Sequence, residues 1–166
     1  VENLSNEGAK VFISDINQNR LEEVRDRYNV EIYEGNNIYA EEMDIYAPCA
    51  LGATINDHTL PLLRTKVIAG AANNQLLDVV EDSKRLRKAG ILFAPDYIIN
   101  AGGVINVYCE GEDGGYEQDK ALALTTQIFD TMIQIFERAK REDRGPALVS
   151  LDMAKEKIGL KVSEAA

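Results

Sequence analysis

Polar or small residues follow four apolar stretches of this sequence, and these positions are the ones best suited to chemistry. They are Asp15 with Ile16, Cys49 with Ala50, Ala72 with Asn73 and Asn74, and Asn100 followed by Ala101, Gly102 and Gly103. In open α/β sheets, ligands bind beyond the carboxyl ends of the strands. Small residues let a flat ligand approach the backbone, while amide and carboxylate groups fix its orientation. We therefore predict a ligand-binding crevice lined by these segments.

Asp15 carries the most specific of these signals. An acid at the end of the second strand of a dinucleotide-binding fold accepts hydrogen bonds from the adenosine ribose and repels a 2′-phosphate, which favours NAD over NADP. The alternative is an acid that interacts with the positive end of the following helix. The residues alone favour neither interpretation.

The elements that must position these residues alternate between strands and helices. Short apolar strands are predicted at 10–15, 30–33, 44–49, 66–70 and 91–95, and helical segments are predicted at 18–28, 56–63, 76–88, 116–141 and 147–158. This alternation predicts an α/β fold of the Rossmann type, with a mainly parallel sheet flanked by helices and a long C-terminal helix. Residues 1–8 resemble the end of a helix that is capped by Gly8.

The glycine-rich phosphate loop of such a fold is expected about 20 residues before Asp15, and thus upstream of Val1. We therefore expect the first strand and this loop to be missing. Because the first strand is central in the usual strand order, its neighbours would keep unpaired edges. The predicted organisation is an incomplete NAD-binding domain at 1–115, ending in an acidic loop at 110–115, followed by C-terminal helices at 116–166.

The composition excludes several classes of function. The formal net charge is −10 in 166 residues, which argues against nucleic acid and anionic membranes as partners. The two cysteines, Cys49 and Cys109, form no CxxC pair, so no metal site is predicted and a reducing cytoplasm is expected. The single histidine, His58, has no obvious catalytic partner in the sequence.

Four motifs together carry a family resemblance. They read APCALG at 47–52, VIAGAANNQL at 67–76, APDY at 94–97 and NAGGVINV at 100–107. In this order and spacing, the chain resembles the amino-acid dehydrogenases, namely leucine dehydrogenase and its phenylalanine and valine relatives. The resemblance runs from about Gly8 to Ile158.

The resemblance implies a role for each segment in binding NAD. Asp15 and Ile16 would contact the adenosine, and Asn100 would orient the nicotinamide. The residues that would lie along the cofactor between them are Cys49, Ala50 and Ala72. Asn73 and Asn74 would lie near the nicotinamide ribose and the substrate, although some leucine dehydrogenases have Asp at the position of Asn73.

The resemblance also implies that Val104 and Val107 line the substrate pocket. The related glutamate dehydrogenases typically have serine at the position of Val107, where it helps to hold the substrate carboxylate. Valine cannot donate that hydrogen bond, so an apolar substrate is expected, namely leucine, valine or isoleucine, or phenylalanine. From the residues alone, packing on a helix face accounts for both valines better.

The implied reaction is the reversible oxidative deamination of an L-amino acid to a 2-oxo acid and ammonia. In this family the catalytic Lys and Asp come from a separate N-terminal domain, and no residue here matches their motifs. Residues 1–166 alone are thus expected to be inactive, and the whole protein is expected to be a homo-oligomer. The alternatives are a glutamate-type dehydrogenase and a non-catalytic remnant.

Overall fold

The structure is a computed structural model that describes residues 1–112 and 114–160. Asp113 of the predicted acidic loop and residues 161–166 of the predicted C-terminal segment lie outside the described residues. The chain divides into two compact units, Val1–Ile38 and Tyr39–Ala166. Among the described residues, no helix is both long enough and apolar enough to span a membrane.

The first unit is a small αβαβ segment. Its elements are α1 (Glu2–Asn6), β1 (Phe12–Ile13), α2 (Gln18–Tyr28) and β2 (Glu31–Ile32), and β1 pairs with β2 in parallel. Helix α2 begins where the Asn17 side chain accepts a hydrogen bond from the Arg20 amide, which is the usual role of a capping asparagine. Gly8 has a φ of 82° after α1, which is the left-handed conformation expected of a helix cap.

The second unit contains a parallel sheet of three strands in the order β3-β4-β5. The strands are β3 (Glu42–Tyr46), β4 (Arg64–Ile68) and β5 (Leu92–Phe93). Tyr46, Ile68 and Phe93 lie side by side in the sheet and are buried. Of the described residues, only those of β4 pair with β3, so the other edge of β3 is unpaired.

The helices around the three-stranded sheet lie before, between and after its strands. They are two short 3-10 helices (Ile38–Ala40 and Leu60–Leu62), α3 (Val79–Lys88), α4 (Asp96–Ile99), α5 (Gly102–Glu110), α6 (Gln118–Glu142) and α7 (Pro146–Lys157). Ala94, Met132 and Ile135 form a buried cluster, which fixes α6 against the segment that follows β5. The core therefore supports the carboxyl ends of β4 and β5.

Polar contacts connect α7 to α4 and α6. The Tyr97 hydroxyl donates to the Ala147 carbonyl oxygen at 2.9 Å and lies 2.6 Å from Ser150 Oγ. Arg138 binds both carboxylate oxygens of Glu156, at 2.7 and 2.8 Å. These contacts hold the C-terminal helices together on the sheet.

The predicted α/β architecture is confirmed, with differences in detail. Strand β4 has the predicted length but begins two residues earlier, the other four strands are shorter than predicted, and the strands form two separate parallel sheets within the described residues. The predicted helix at 76–88 begins at Val79, because Asp78 caps it by accepting from the Val80 and Glu81 amides. The long helix predicted at 116–141 is α6, and Leu122 near its start is 57% exposed.

Candidate functional site

The segments that follow β3 and β4 run directly against each other. The Ala69 amide donates to the Tyr46 carbonyl, and the Ala72 amide donates to the Pro48 carbonyl, each at 3.0 Å. A Cβ atom added at Gly70 would lie 2.1 Å from the Pro48 carbonyl oxygen. Only glycine therefore permits this approach of the two backbones.

A second close approach lies further along the same two segments. The Ala53 amide donates to the Asn74 carbonyl oxygen at 2.7 Å. A Cβ atom at Gly52 would lie 2.7 Å from the Asn73 carbonyl oxygen. The predicted positions Cys49 and Ala50 belong to the loop between these two approaches, and both residues are exposed.

The predicted asparagines after β4 and β5 come together. Asn100 Nδ2 donates to Asn73 Oδ1 at 2.6 Å and to the Ala71 carbonyl oxygen at 3.3 Å. The two side chains come from segments that are 27 residues apart, and the parallel order of β4 and β5 brings them to the same end of the sheet. A ligand at this end would meet an amide pair that is already oriented.

Asn74 differs from Asn73 in how it is held. Its backbone amide donates to Asp96 Oδ2 at 2.7 Å, and its φ is 53°, in the left-handed region. Its side chain is exposed and makes no hydrogen bond with the residues that the structure describes. The Asn74 carboxamide can therefore bind a ligand without breaking a contact within the chain.

Gln75 was not among the predicted site residues, although it adjoins them. Its side chain is fully buried, and Nε2 donates to the carbonyl oxygens of Gly70 (2.6 Å) and Ala72 (3.0 Å). These bonds hold the turn at 70–72 from within. Its place beside two asparagines in a strand-end motif is the sequence signal that could have identified it.

The two valines of α5 are strongly exposed. Val104 is 74% exposed and Val107 is 66% exposed, and the two lie three residues apart on one helix. The sequence offers packing on a helix face as the alternative role of the two valines. Packing within the described residues does not account for side chains that are this exposed. They are available for contact with a substrate or with another part of the protein.

Asp15 and Ile16 belong to the first unit and are both exposed. Asp15 Oδ1 accepts a hydrogen bond from the Asn17 amide at 2.9 Å, just before α2. This contact agrees with the helix-start interpretation of Asp15, and it engages only one of the two carboxylate oxygens. Among the described residues, the Ile16 side chain is fully exposed.

The remaining ionisable groups offer less chemistry. Burial raises the pKa of Tyr46 above its ordinary value, so this phenol stays protonated at neutral pH. His58 is exposed, and its Nε2 lies 3.7 Å from Asp57. In the described part of the chain, no three His, Cys, Asp or Glu residues are grouped so that they could hold a metal ion.

Comparison with known proteins agrees with this geometry. The family model for glutamate/leucine/phenylalanine/valine dehydrogenases matches residues 6–145, which include the four motifs and both asparagine segments. The chain belongs to this family.

Individual dehydrogenases of the family resemble the chain closely. It is 44% identical to leucine dehydrogenase of Bacillus cereus over 152 residues, which are 92% of this chain and 41% of that enzyme. It is also 44% identical to phenylalanine dehydrogenase of Bacillus thermotolerans over 143 residues, 83% of this chain and 37% of that enzyme. The crystal structure of L-tryptophan dehydrogenase from Nostoc punctiforme superposes with a TM-score of 0.88 at 41% identity, covering 95% of this chain and 47% of that one. The chain thus spans less than half the length of these dehydrogenases.

Proposed function

We propose that the chain is the NAD-binding part of an amino-acid dehydrogenase that deaminates an apolar L-amino acid. The observation that carries the proposal is the oriented pair of Asn73 and Asn100 at the converging ends of β4 and β5. The next residue, Asn74, adds a carboxamide with no partner among the described residues. These groups suit a nicotinamide and its ribose, which present amide and hydroxyl groups for hydrogen bonding.

The segments after β3 and β4 suit a dinucleotide that lies along the sheet end. Gly52 and Gly70 keep side chains out of the contact between the two segments, and the small Ala50 and the exposed Cys49 leave the backbone accessible. In the first unit, the unengaged oxygen of Asp15 would accept from the adenosine ribose, and Ile16 would contact the adenine. The same carboxylate would repel a 2′-phosphate, which favours NAD over NADP.

When bound, NAD supplies the acceptor for the hydride that leaves the α-carbon of the amino acid. In this proposal the chain's own residues bind and orient. Asn100 and Asn73 fix the nicotinamide, and Asn74 reaches the ribose and the substrate. The lysine and aspartate that the family resemblance implies for proton transfer have no counterpart among the motifs of this chain.

The preferred substrate is proposed to be apolar. Val104 and Val107 expose their side chains on α5, and neither can pair with a side-chain carboxylate such as that of glutamate. The relatives named above are dehydrogenases of leucine, phenylalanine and tryptophan. We therefore propose a branched-chain or aromatic L-amino acid, in a cytoplasmic protein that assembles as a homo-oligomer.

Binding of NADH to the complete gene product tests the proposal. Tryptophan is absent from residues 1–166, so NADH fluorescence can be followed with little interference from this chain. Asn100→Ala removes the donor to Asn73 and is expected to weaken NADH binding about tenfold, which corresponds to the loss of one hydrogen bond. Asn19→Ala, at an exposed position of α2, is the matched control and should bind NADH like the wild type.

Reductive amination assays with the 2-oxo acids of leucine, phenylalanine, tryptophan and glutamate test the substrate class. Turnover of an apolar 2-oxo acid in preference to 2-oxoglutarate is the expected result. Preference for 2-oxoglutarate would favour the glutamate-type alternative. A folded gene product that neither binds NADH nor turns over any of these substrates would be the non-catalytic remnant.

A further inference from the structure

A buried carboxylate lies beneath the proposed nicotinamide-ribose site. Asp96, the first residue of α4, is only 6% exposed, and its Oδ2 accepts from the backbone amide of Asn74 at 2.7 Å. Of the described residues, none forms a salt bridge with Asp96. A buried carboxylate must find compensation, and among the described residues its side chain accepts a hydrogen bond from this amide. The 2.7 Å bond is therefore a major contact of the Asp96 side chain.

The bond acts on a residue in an uncommon conformation. Asn74 has a φ of 53°, a region that disfavours residues other than glycine, although asparagine tolerates it best. Both of its backbone groups are held, because its carbonyl oxygen accepts from the Ala53 amide at 2.7 Å. The Cα–Cβ direction of Asn74 is consequently fixed, whereas its carboxamide stays available.

The neighbouring contacts show that this turn is held from two sides. Gln75 binds the carbonyl oxygens of Gly70 and Ala72 from the interior, and Asn100 binds Asn73 from the exposed side. Neither contact reaches the Asn74 amide. Among the described residues, Asp96 is the side chain that binds the Asn74 backbone amide.

We propose that Asp96 is a positioning residue, which presents the Asn74 carboxamide to the nicotinamide ribose of the bound cofactor. The inference rests on the proposed function, since it assigns a task to a residue behind the site. A hydrogen bond to a charged acceptor is roughly twice as strong as one between neutral groups. Neutralising Asp96 therefore loosens Asn74 without removing any atom that contacts the ligand.

A double-mutant cycle tests the proposal in the complete gene product, with NADH affinity as the readout. Asp96→Asn is expected to weaken NADH binding about tenfold in the wild-type background and less than about twofold in an Asn74→Gly background. Glycine accepts the φ of residue 74, so the Asn74→Gly variant is expected to fold and to lose only the carboxamide. It should bind NADH about tenfold more weakly than the wild type.

Asp82→Asn is the matched control. Asp82 is also buried and also accepts from a backbone amide, that of Asp78 at 2.8 Å, but it lies within α3. We expect Asp82→Asn to lower stability while leaving NADH affinity unchanged. Hydrogen exchange at the amide of residue 74 provides a readout without ligand, and it should accelerate in Asp96→Asn but not in Asp82→Asn.

The outcomes separate this inference from the proposed function. If the wild type binds NADH but Asp96→Asn weakens binding equally in both backgrounds, or not at all, Asp96 does not act through Asn74. If Asn74→Gly binds NADH like the wild type, the carboxamide has no role and the inference is overturned by that variant alone. If the folded wild type does not bind NADH, the proposed function fails and the positioning role fails with it.

Discussion

Gly70→Ala is the substitution for which the structure gives the most definite expectation. The new methyl group would lie 2.1 Å from the Pro48 carbonyl oxygen and 2.5 Å from the Pro48 nitrogen. Because both are backbone atoms, no rotation of a side chain can relieve the contact. The segments that follow β3 and β4 must separate until the methyl group reaches at least 3.0 Å, the shortest distance that real Cβ atoms keep.

The expected cost follows from this displacement. Overpacking of a tight contact costs about 1–3 kcal/mol. The bond from the Ala72 amide to the Pro48 carbonyl, now 3.0 Å long, would be stretched or broken, which costs about 1 kcal/mol more. We therefore expect the free energy of unfolding to fall by about 2–4 kcal/mol, a large part of the 5–15 kcal/mol that is typical of a domain.

Calorimetric unfolding of the complete gene product measures the effect, together with an NADH titration. For the unfolding measurement alone, Gly103→Ala is the matched control, because a Cβ added there meets no atom outside its own helix within 4 Å. Because Gly103 lies in a helix, this change should raise the free energy of unfolding by less than about 1 kcal/mol. If the free energy of unfolding of Gly70→Ala instead lies within about 0.5 kcal/mol of the wild-type value and the variant binds NADH normally, the two backbones are not in the contact described above.

Two further variants, one single and one double, test the contacts of the C-terminal helices. Tyr97→Phe removes the hydroxyl that reaches α7 and should lower the free energy of unfolding by roughly 1 kcal/mol in the same calorimetric assay, whereas Tyr116→Phe should not. Hydrogen bonds from Arg138 lower the pKa of both Glu142 and Glu156. The stability that these two carboxylates add is therefore complete above the ordinary glutamate pKa of about 4.3, and it is lost as the pH falls through their lowered pKa values. Replacing both with Gln should therefore flatten the dependence of stability on pH between about pH 4.3 and the lowered pKa values, and an unchanged slope in acid denaturation would contradict the role of the network.

The sequence predicts the kinds of element well but not their limits. Strand β1 is predicted to span six residues and has two, Phe12 and Ile13, because a strand extends only as far as its partner pairs with it and β2 pairs at two positions. The single turn of α4 is too short to show a helical period, so no pattern predicts it. Helix α2, with a capping asparagine and a buried Leu21, has the predicted bounds.

The candidate functional site also has a part that the sequence predicts and a part that it does not. Strand order alone places Asn73 and Asn100 at one end of the sheet, and the structure brings their side chains into contact. The bond from Asn74 to Asp96 joins residues 22 positions apart and depends on a positive φ at a residue other than glycine. No local pattern signals either condition, so this contact could not be predicted from the sequence. The roles of Asp15, Ile16, Val104 and Val107 stay predictions.

Within the described residues, one edge of β3 has no partner strand, and the charges on β3 affect which strands can pair there. Exposed strand edges can recruit a strand from another molecule, and charged side chains oppose this. Asp44, in the middle of β3, forms a hydrogen bond with Lys66, which lowers its pKa. This carboxylate therefore keeps its charge in mildly acidic solution, where much of the chain's negative charge is neutralised. A charge that persists on β3 therefore disfavours pairing with a strand of another molecule wherever this edge is free.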